Sequence, residues 1–170
     1  MKNWLLALML FVPMVSLANP SPFGLELGKA TVADLIDKYT TELLGVNSYS
    51  NGLMYDLTPS ELGLNGLQQA RVIFDEDGKL VAVLTKLPKH RFDDLYSMMR
   101  GKYHVKSQQI PFVGNKKVVM QDGDTEITLE APHMSFEMEM NYINEGFMRS
   151  FREQLKREEE QKRQREAGNL

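Results

Sequence analysis

Four apolar residues, Val32, Leu35, Ile36 and Tyr39, recur at i, i+3, i+4 and i+7 behind Thr31. That spacing lays them along one stripe of a helix, and a threonine hydroxyl is a good partner for the first free N–H groups of such a helix. The pattern predicts a first helix from 31 to about 43. Phe92, Leu95, Tyr96 and Met99 repeat the spacing and predict a second helix over 91–100, with Gly101 to close it. Between the two helices the pattern turns into that of strands. The runs Arg71-Val72-Ile73-Phe74 and Leu80-Val81-Ala82-Val83-Leu84 flank Asp75-Glu76-Asp77-Gly78, an acidic turn ending in glycine, and predict a hairpin within 69–87. Its continuous apolar character places it at the centre of a sheet, against a helix. Residues 23–27 suggest a short edge strand, and 45–66, rich in Asn, Ser, Gly and Pro, one weak strand followed by a long loop.

Four further strands are expected at 103–110, 116–121, 125–131 and 134–143, parted by Gly114-Asn115, Asp122-Gly123 and Pro132. Such residues turn an antiparallel meander. In the last strand Met134, Phe136, Met138, Met140 and Tyr142 alternate with Ser135, Glu137, Glu139 and Asn141, so one face is buried and the other wet. A third helix starts near Asn144, with Phe147, Met148, Phe151 and Leu155 as its docking stripe. Beyond it, 152–166 holds six basic and five acidic residues. Three of the pairs, Glu153 with Arg157, Glu158 with Lys162 and Glu159 with Arg163, have the i, i+4 spacing of an exposed helix, without an apolar seam for a partner. Asp34-Leu35 and Asp94-Leu95 each open a helix that strands follow, which predicts two degenerate helix-plus-three-strands units. The expected fold is α+β: an antiparallel sheet with helices packed on one face and a long charged C-terminal helix. It divides into a single domain over 19–151 and a solvent-exposed helix or tail over 152–170.

The N-terminus has a pattern of its own. Lys2 precedes an apolar run from 4 to 15, and Ser16-Leu17-Ala18 puts small residues where a signal peptidase reads them. Residues 1–18 are expected to be a secretory signal peptide cut after Ala18. Its short, positive start is of the Gram-negative kind and sends the chain to the periplasm. The apolar run is too short to span a bilayer, which needs about 20 residues, so no integral membrane anchor is expected. The chain has 170 residues and no cysteine, so its stability must come from a packed core. A net charge of −3 gives no basic field for nucleic acid phosphates.

Candidate chemistry is sparse. His90, His104 and His133 lack the spacing of a zinc site, and no metal or cofactor is expected from them. The acidic clusters at 75–77 and 122–124 are accounted for by the turns they make. No Gly-x-Ser-x-Gly elbow and no phosphate-cradling glycine loop occurs, so no catalytic residue is assigned. Glu126 and Glu130, with Glu137 and Glu139 on the next strand, fall on one sheet face. Adjacent carboxylates suit a basic partner surface, or proton chemistry if one raises the pKa of another. A neutralised, soluble face is the plainer reading of the same row.

The leader, the Gly28-x-x-Thr31-x-x-Asp34-Leu35 helix entry and the doubled helix-plus-strands arrangement resemble small periplasmic α+β proteins of the β-lactamase-inhibitor-protein and small outer-membrane-assembly-lipoprotein type. The resemblance spans about 25–143, and the missing cysteine departs from the lipoprotein members. It implies a non-enzymatic binding, inhibitory or assembly role. The function expected is therefore that of a soluble periplasmic protein-binding module, with an envelope or periplasmic protein as partner and Glu126, Glu130, Glu137 and Glu139 as the tentative contact row. The alternatives are a small-ligand or lipid carrier, suggested by the Met, Phe and Tyr row, and a carboxylate-based hydrolase.

Overall fold

A computed structural model describes residues 19–169, so the expected leader lies outside the described residues. The fold is α+β. Helix α1 (Val32–Lys38) precedes strands β1 (Thr41–Val46), β2 (Asn51–Leu57), β3 (Gln69–Asp75) and β4 (Leu80–Pro88). Helix α2 (Phe92–Met99) precedes β5 (His104–Gln109), β6 (Lys116–Asp122), β7 (Thr125–Ala131) and β8 (Glu137–Asn144), and α3 (Glu145–Ala167) follows. All eight strands form one antiparallel sheet in the order β1-β2-β3-β4-β8-β7-β6-β5.

That order makes the repeat visible. Each unit is a helix followed by a four-stranded meander, one strand more than the sequence pattern suggested, and the two meet where β4 pairs with β8. Leu35 and Leu95, the shared helix residues, are both buried. The outermost strands even share a defect: the register slips by one residue between Leu43 and Gly45 in β1, and between Val105 and Ser107 in β5. An extra residue at the same place in two related strands is a bulge kept in both units.

Local chemistry sets the elements. Thr31 and Asp34 form a reciprocal cap, the Thr31 hydroxyl accepting from the Asp34 N–H while the Asp34 carboxylate accepts from the Thr31 N–H at 2.8 Å. The Thr31 hydroxyl also donates to that carboxylate at 2.7 Å, and this bond, with the one from the Thr31 N–H, holds the Asp34 carboxyl below its ordinary pKa. The helix ends at Lys38 rather than near 43. Tyr39 is already extended, its hydroxyl donating to the Phe23 carbonyl, and the β-branched Thr40-Thr41 start a strand. The 45–66 segment is correspondingly more ordered than its composition implied. It holds all of β2, which is paired on both sides, and a 3-10 turn at Pro59–Glu61. Residues 23–27 form no strand. Pro20 and Pro22 lack N–H donors, and Phe23 and Gly24 have positive φ, so the arm turns back with Pro20, Pro22, Leu25 and Leu27 buried.

The main core lies between one face of the sheet and a layer made of this arm, α1 and α2. Leu27, Leu35, Phe92 and Leu95 meet Val72, Phe74, Val83, Ile127, Leu129 and Met138 there. Thr85 and Thr128 are polar members among the buried residues, and the Thr85 hydroxyl donates to the Met140 carbonyl at 2.5 Å. Tyr103 and Tyr142 stack edge to face at 6.1 Å, and burial pushes the Tyr142 hydroxyl far up from its ordinary pKa. Among the described residues, the opposite face receives only the root of α3. Asn144 caps that helix, accepting from the N–H groups of Gly146 and Phe147, and Phe147 packs on Ile73, Val81 and Ala82. Phe151 meets Tyr49 edge to face at 4.6 Å. From Lys156 to the end of α3 every residue is exposed, a continuous helix where a tail was the alternative.

Candidate interaction surface

The face opposite the main core is read by following the strand register. One row runs Gln69, Lys86, Glu139, Glu130, Lys117 and Gln109 across six adjacent strands. The next runs Glu42, Asp56, Arg71, Leu84, Asn141, Thr128, Val119 and Ser107 across all eight. A third row, starting with Met54, Ile73, Ala82 and Ile143, is the apolar ground on which Phe147 sits, and it continues into Glu126, Gln121 and His104.

All four glutamates of the expected row lie on this face, spread over two strands. Glu130 and Glu139 are direct cross-strand neighbours. Each is bracketed by a lysine in the ladder: Lys117 reaches Glu130 at 2.7 Å, and Lys86 is the register partner of Glu139. Like charges directly opposite each other destabilise a sheet, so the flanking lysines offset the cost of this pair. Glu126 stands apart from them, near Arg152 of α3 at 3.7 Å. Glu137 starts β8 opposite Pro88. The row is thus a charge-compensated ladder with Glu126 and Glu137 at its margins.

An ion pair that sequence reasoning missed stands on β2 and β3, in the half of the face nearer β1. Arg71 clamps Asp56 with two parallel hydrogen bonds, Nε to Oδ1 at 2.7 Å and Nη2 to Oδ2 at 3.0 Å. The clamp holds the Asp56 carboxyl below the usual carboxylate range and raises the guanidinium. Asp56 falls within 45–66, a segment whose pattern suggests only one weak strand and a long loop, so nothing in the sequence placed it opposite Arg71. Beside the pair is an open depression of about 180 Å³ lined by Gln69, Arg71, Leu84, Thr85, Lys86, Glu139 and Asn141. Small-molecule sites are commonly about 300 to 1,000 Å³, so this volume suits one side chain of a partner.

The largest departure from the sequence pattern is at one end of the sheet. Met134 and Phe136 were expected on the buried face of the last strand, yet β8 begins at Glu137 and the two side chains are 89% and 94% exposed. β4 gives the reason: its pairing with β8 ends at Pro88 and Glu137, and the preceding residues turn instead, the Ser135 N–H donating to the Pro132 carbonyl. In the loop between β5 and β6, Phe112 is fully exposed and Val113 is 66% exposed. The two loops are tied together, because the His133 N–H donates to the Asn115 side chain at 2.8 Å. Lys89 fixes the second loop from the other side, its ammonium donating to the carbonyls of Pro132 and His133 and its N–H to that of Phe136. Four apolar side chains are therefore presented to solvent by hydrogen-bonded loops. Pro111, Gly114 and Pro132 were the signal that these segments turn.

His90, His104 and His133 lie in a 3-10 turn, on an edge strand and in a loop. Among the described residues no three metal-ligating side chains converge, and no helix is long and apolar enough to cross a membrane. Compared with protein-family models, curated proteins and solved structures, the chain matches none.

Proposed function

We propose that this is a protein-binding module of the periplasm, exported by its leader, that engages an envelope or periplasmic protein through the apolar end of the sheet and the adjoining charged ladder. The observation that carries the reading is the group Phe112, Val113, Met134 and Phe136, exposed on loops that hydrogen bonds hold in place. Exposed apolar groups of this kind, with polar residues around them, mark sites of macromolecular contact. Pre-ordered loops also lower the entropy lost on binding. Glu130 and Glu137 border this end and supply a polar rim, with Glu139 and Glu126 farther along the same face. The depression beside Arg71 takes a single partner side chain. The resemblance to the β-lactamase-inhibitor-protein type of architecture belongs to the same proposal.

The test is crosslinking in the cell. A photoreactive amino acid at Phe112 or Phe136 is expected to capture one envelope protein reproducibly, and the same probe at exposed Lys156 on α3 is expected not to. The double change Phe112→Ser and Phe136→Ser should weaken binding to that protein by about a hundredfold or more, the scale of two lost anchor residues. A capture pattern identical at all three positions, or binding untouched by the double change, refutes the proposal.

A further inference from the structure

Asn19 pins the N-terminal arm to the turn between β6 and β7. Its Nδ2 donates to the Leu27 carbonyl at 3.2 Å, and its Oδ1 accepts from the Asp124 N–H at 3.0 Å. Gly123, at a φ of +52°, makes room for it: a Cβ there would collide with the Asn19 Oδ1 and lie 3.7 Å from the Asn19 Cα. The turn that receives Asn19 has polar groups left over. Asp122 and Thr125 are direct cross-strand partners, and alternation sets them on the face of Val118, Met120, Ile127 and Leu129, which the arm covers. Thr125 is fully buried, yet among the described residues its hydroxyl has no hydrogen-bond partner. Asp122 is half-buried, and among the described residues no cation pairs with it or with Asp124. Buried polar groups are nearly always satisfied, so a cationic donor is wanting here. The charged groups on the neighbouring elements are committed elsewhere. Glu145, at the start of α3, accepts from Gln121 at 2.6 Å, and Glu26 and Lys29 of the arm pair with each other at 2.7 Å.

We infer that the donor is the α-ammonium that export creates on Asn19, so that removal of the leader locks the arm onto the β6–β7 turn. This rests on the cut after Ala18 proposed above. Hydrolysis of the Ala18–Asn19 bond consumes one water; the acyl group departs with the leader as the Ala18 carboxylate, and the nitrogen stays behind as the Asn19 ammonium. A neutral amide with one N–H thereby becomes a cation with three, beside the Asp122 and Asp124 carboxylates and the Thr125 hydroxyl. Position specifies the occupant, because Asn19 is already held against Gly123 by its own side chain. The precursor lacks this donor, and its arm is held less firmly. Carboxylates at such range favour the charged amine, so the ammonium keeps its proton above the ordinary α-amino pKa of about 8.

The test uses protein expressed from the full-length coding sequence in a Gram-negative host and recovered from the periplasm. Its mass is expected to be that of residues 19–170. A water-soluble active ester acylates only neutral amines, and the N-terminal peptide is quantified by mass spectrometry at about pH 7, with the exposed Lys156 as internal reference. Acylation of Asn19 is expected to be about tenfold slower than in Asp122→Asn, the effect of roughly one pKa unit. A glycine inserted between Ala18 and Asn19 keeps the cut but moves the ammonium by one residue, and should restore the faster rate. Thr125→Val gives a second readout. Removing an idle buried hydroxyl stabilises a protein, whereas removing one bound to the ammonium lowers the denaturant midpoint, and the lower midpoint is expected. A protein that begins elsewhere than Asn19 overturns the leader and this contact together. One that begins at Asn19 but is acylated equally in the parent, Asp122→Asn and glycine-inserted forms, or whose midpoint rises with Thr125→Val, overturns the contact alone.

Discussion

The two faces of the sheet are made from the same strands by the same alternation, yet they are held by different forces. On one face Phe74, Leu129 and Met138 are excluded from water beneath two helices and the N-terminal arm. On the other, Arg71 and Asp56, then Lys117 and Glu130, form pairs that solvent still reaches, and apolar contact gathers at the root of α3, where Phe147 packs on Ile73, Val81 and Ala82 and Phe151 meets Tyr49. Burial of apolar area is worth about 25 cal/mol per Å², whereas an exposed ion pair contributes roughly 0 to 1 kcal/mol. The first face accordingly fixes the fold, and the second is free to vary in composition and to serve contact.

Truncation in the core breaks this division most severely. Phe74, fully buried and edge to face with Tyr55 at 6.1 Å, should cost about 3 to 5 kcal/mol on Phe74→Ala, read as a fall in the denaturant midpoint with little change in slope. A smaller effect belongs to the Arg71–Asp56 ion pair on the open face. Asp56→Asn should cost about 1 kcal/mol, since the pair is bidentate but part-exposed. Its pH signature is more telling. Asp56 is more acidic folded than unfolded, so below about pH 4 the unfolded chain binds the extra proton and stability falls as pH drops through the folded pKa. Asp56→Asn is expected to flatten part of that acid limb while leaving stability above pH 5 offset by a constant amount. Smallest of all, Glu139→Gln should stay within about 0.5 kcal/mol of the parent, because it relieves its apposition to Glu130 as it gives up Lys86. A loss as large as that of Phe74→Ala would show that the ladder holds the fold after all.

How far the sequence discloses all this depends on whether the deciding interaction is local. The Thr31 cap, the Asp75–Gly78 hairpin turn and strand β7 follow from neighbours in the chain, and each is found where the pattern put it. The glutamate row is legible for a related reason, since alternation along β7 and β8 fixes its face. β1 was hidden because Leu43 falls four residues after Tyr39 and so extends the helical stripe; pairing with β2, a long-range event, overrides it. Met134 and Phe136 mislead in the opposite direction. Their alternation is that of the strand, but β4 gives them no partner, and a pattern alone does not say where a neighbouring strand stops. The Arg71 clamp needs β2 and β3 in register, and nothing within either segment announces it.

The pairing of β4 with β8 carries a consequence for how the molecule comes to exist. Ala82 and Ile143, partners across that seam, stand 61 positions apart along the polypeptide, and the two meanders join nowhere else in the sheet. Long-range pairings of this kind raise contact order and slow folding. A nascent chain cannot close its centre until almost all of it has been synthesised, so the seam delays commitment to the folded form. Under the export proposed above, in which the polypeptide threads through a narrow translocation pore before it collapses, such tardiness is an asset.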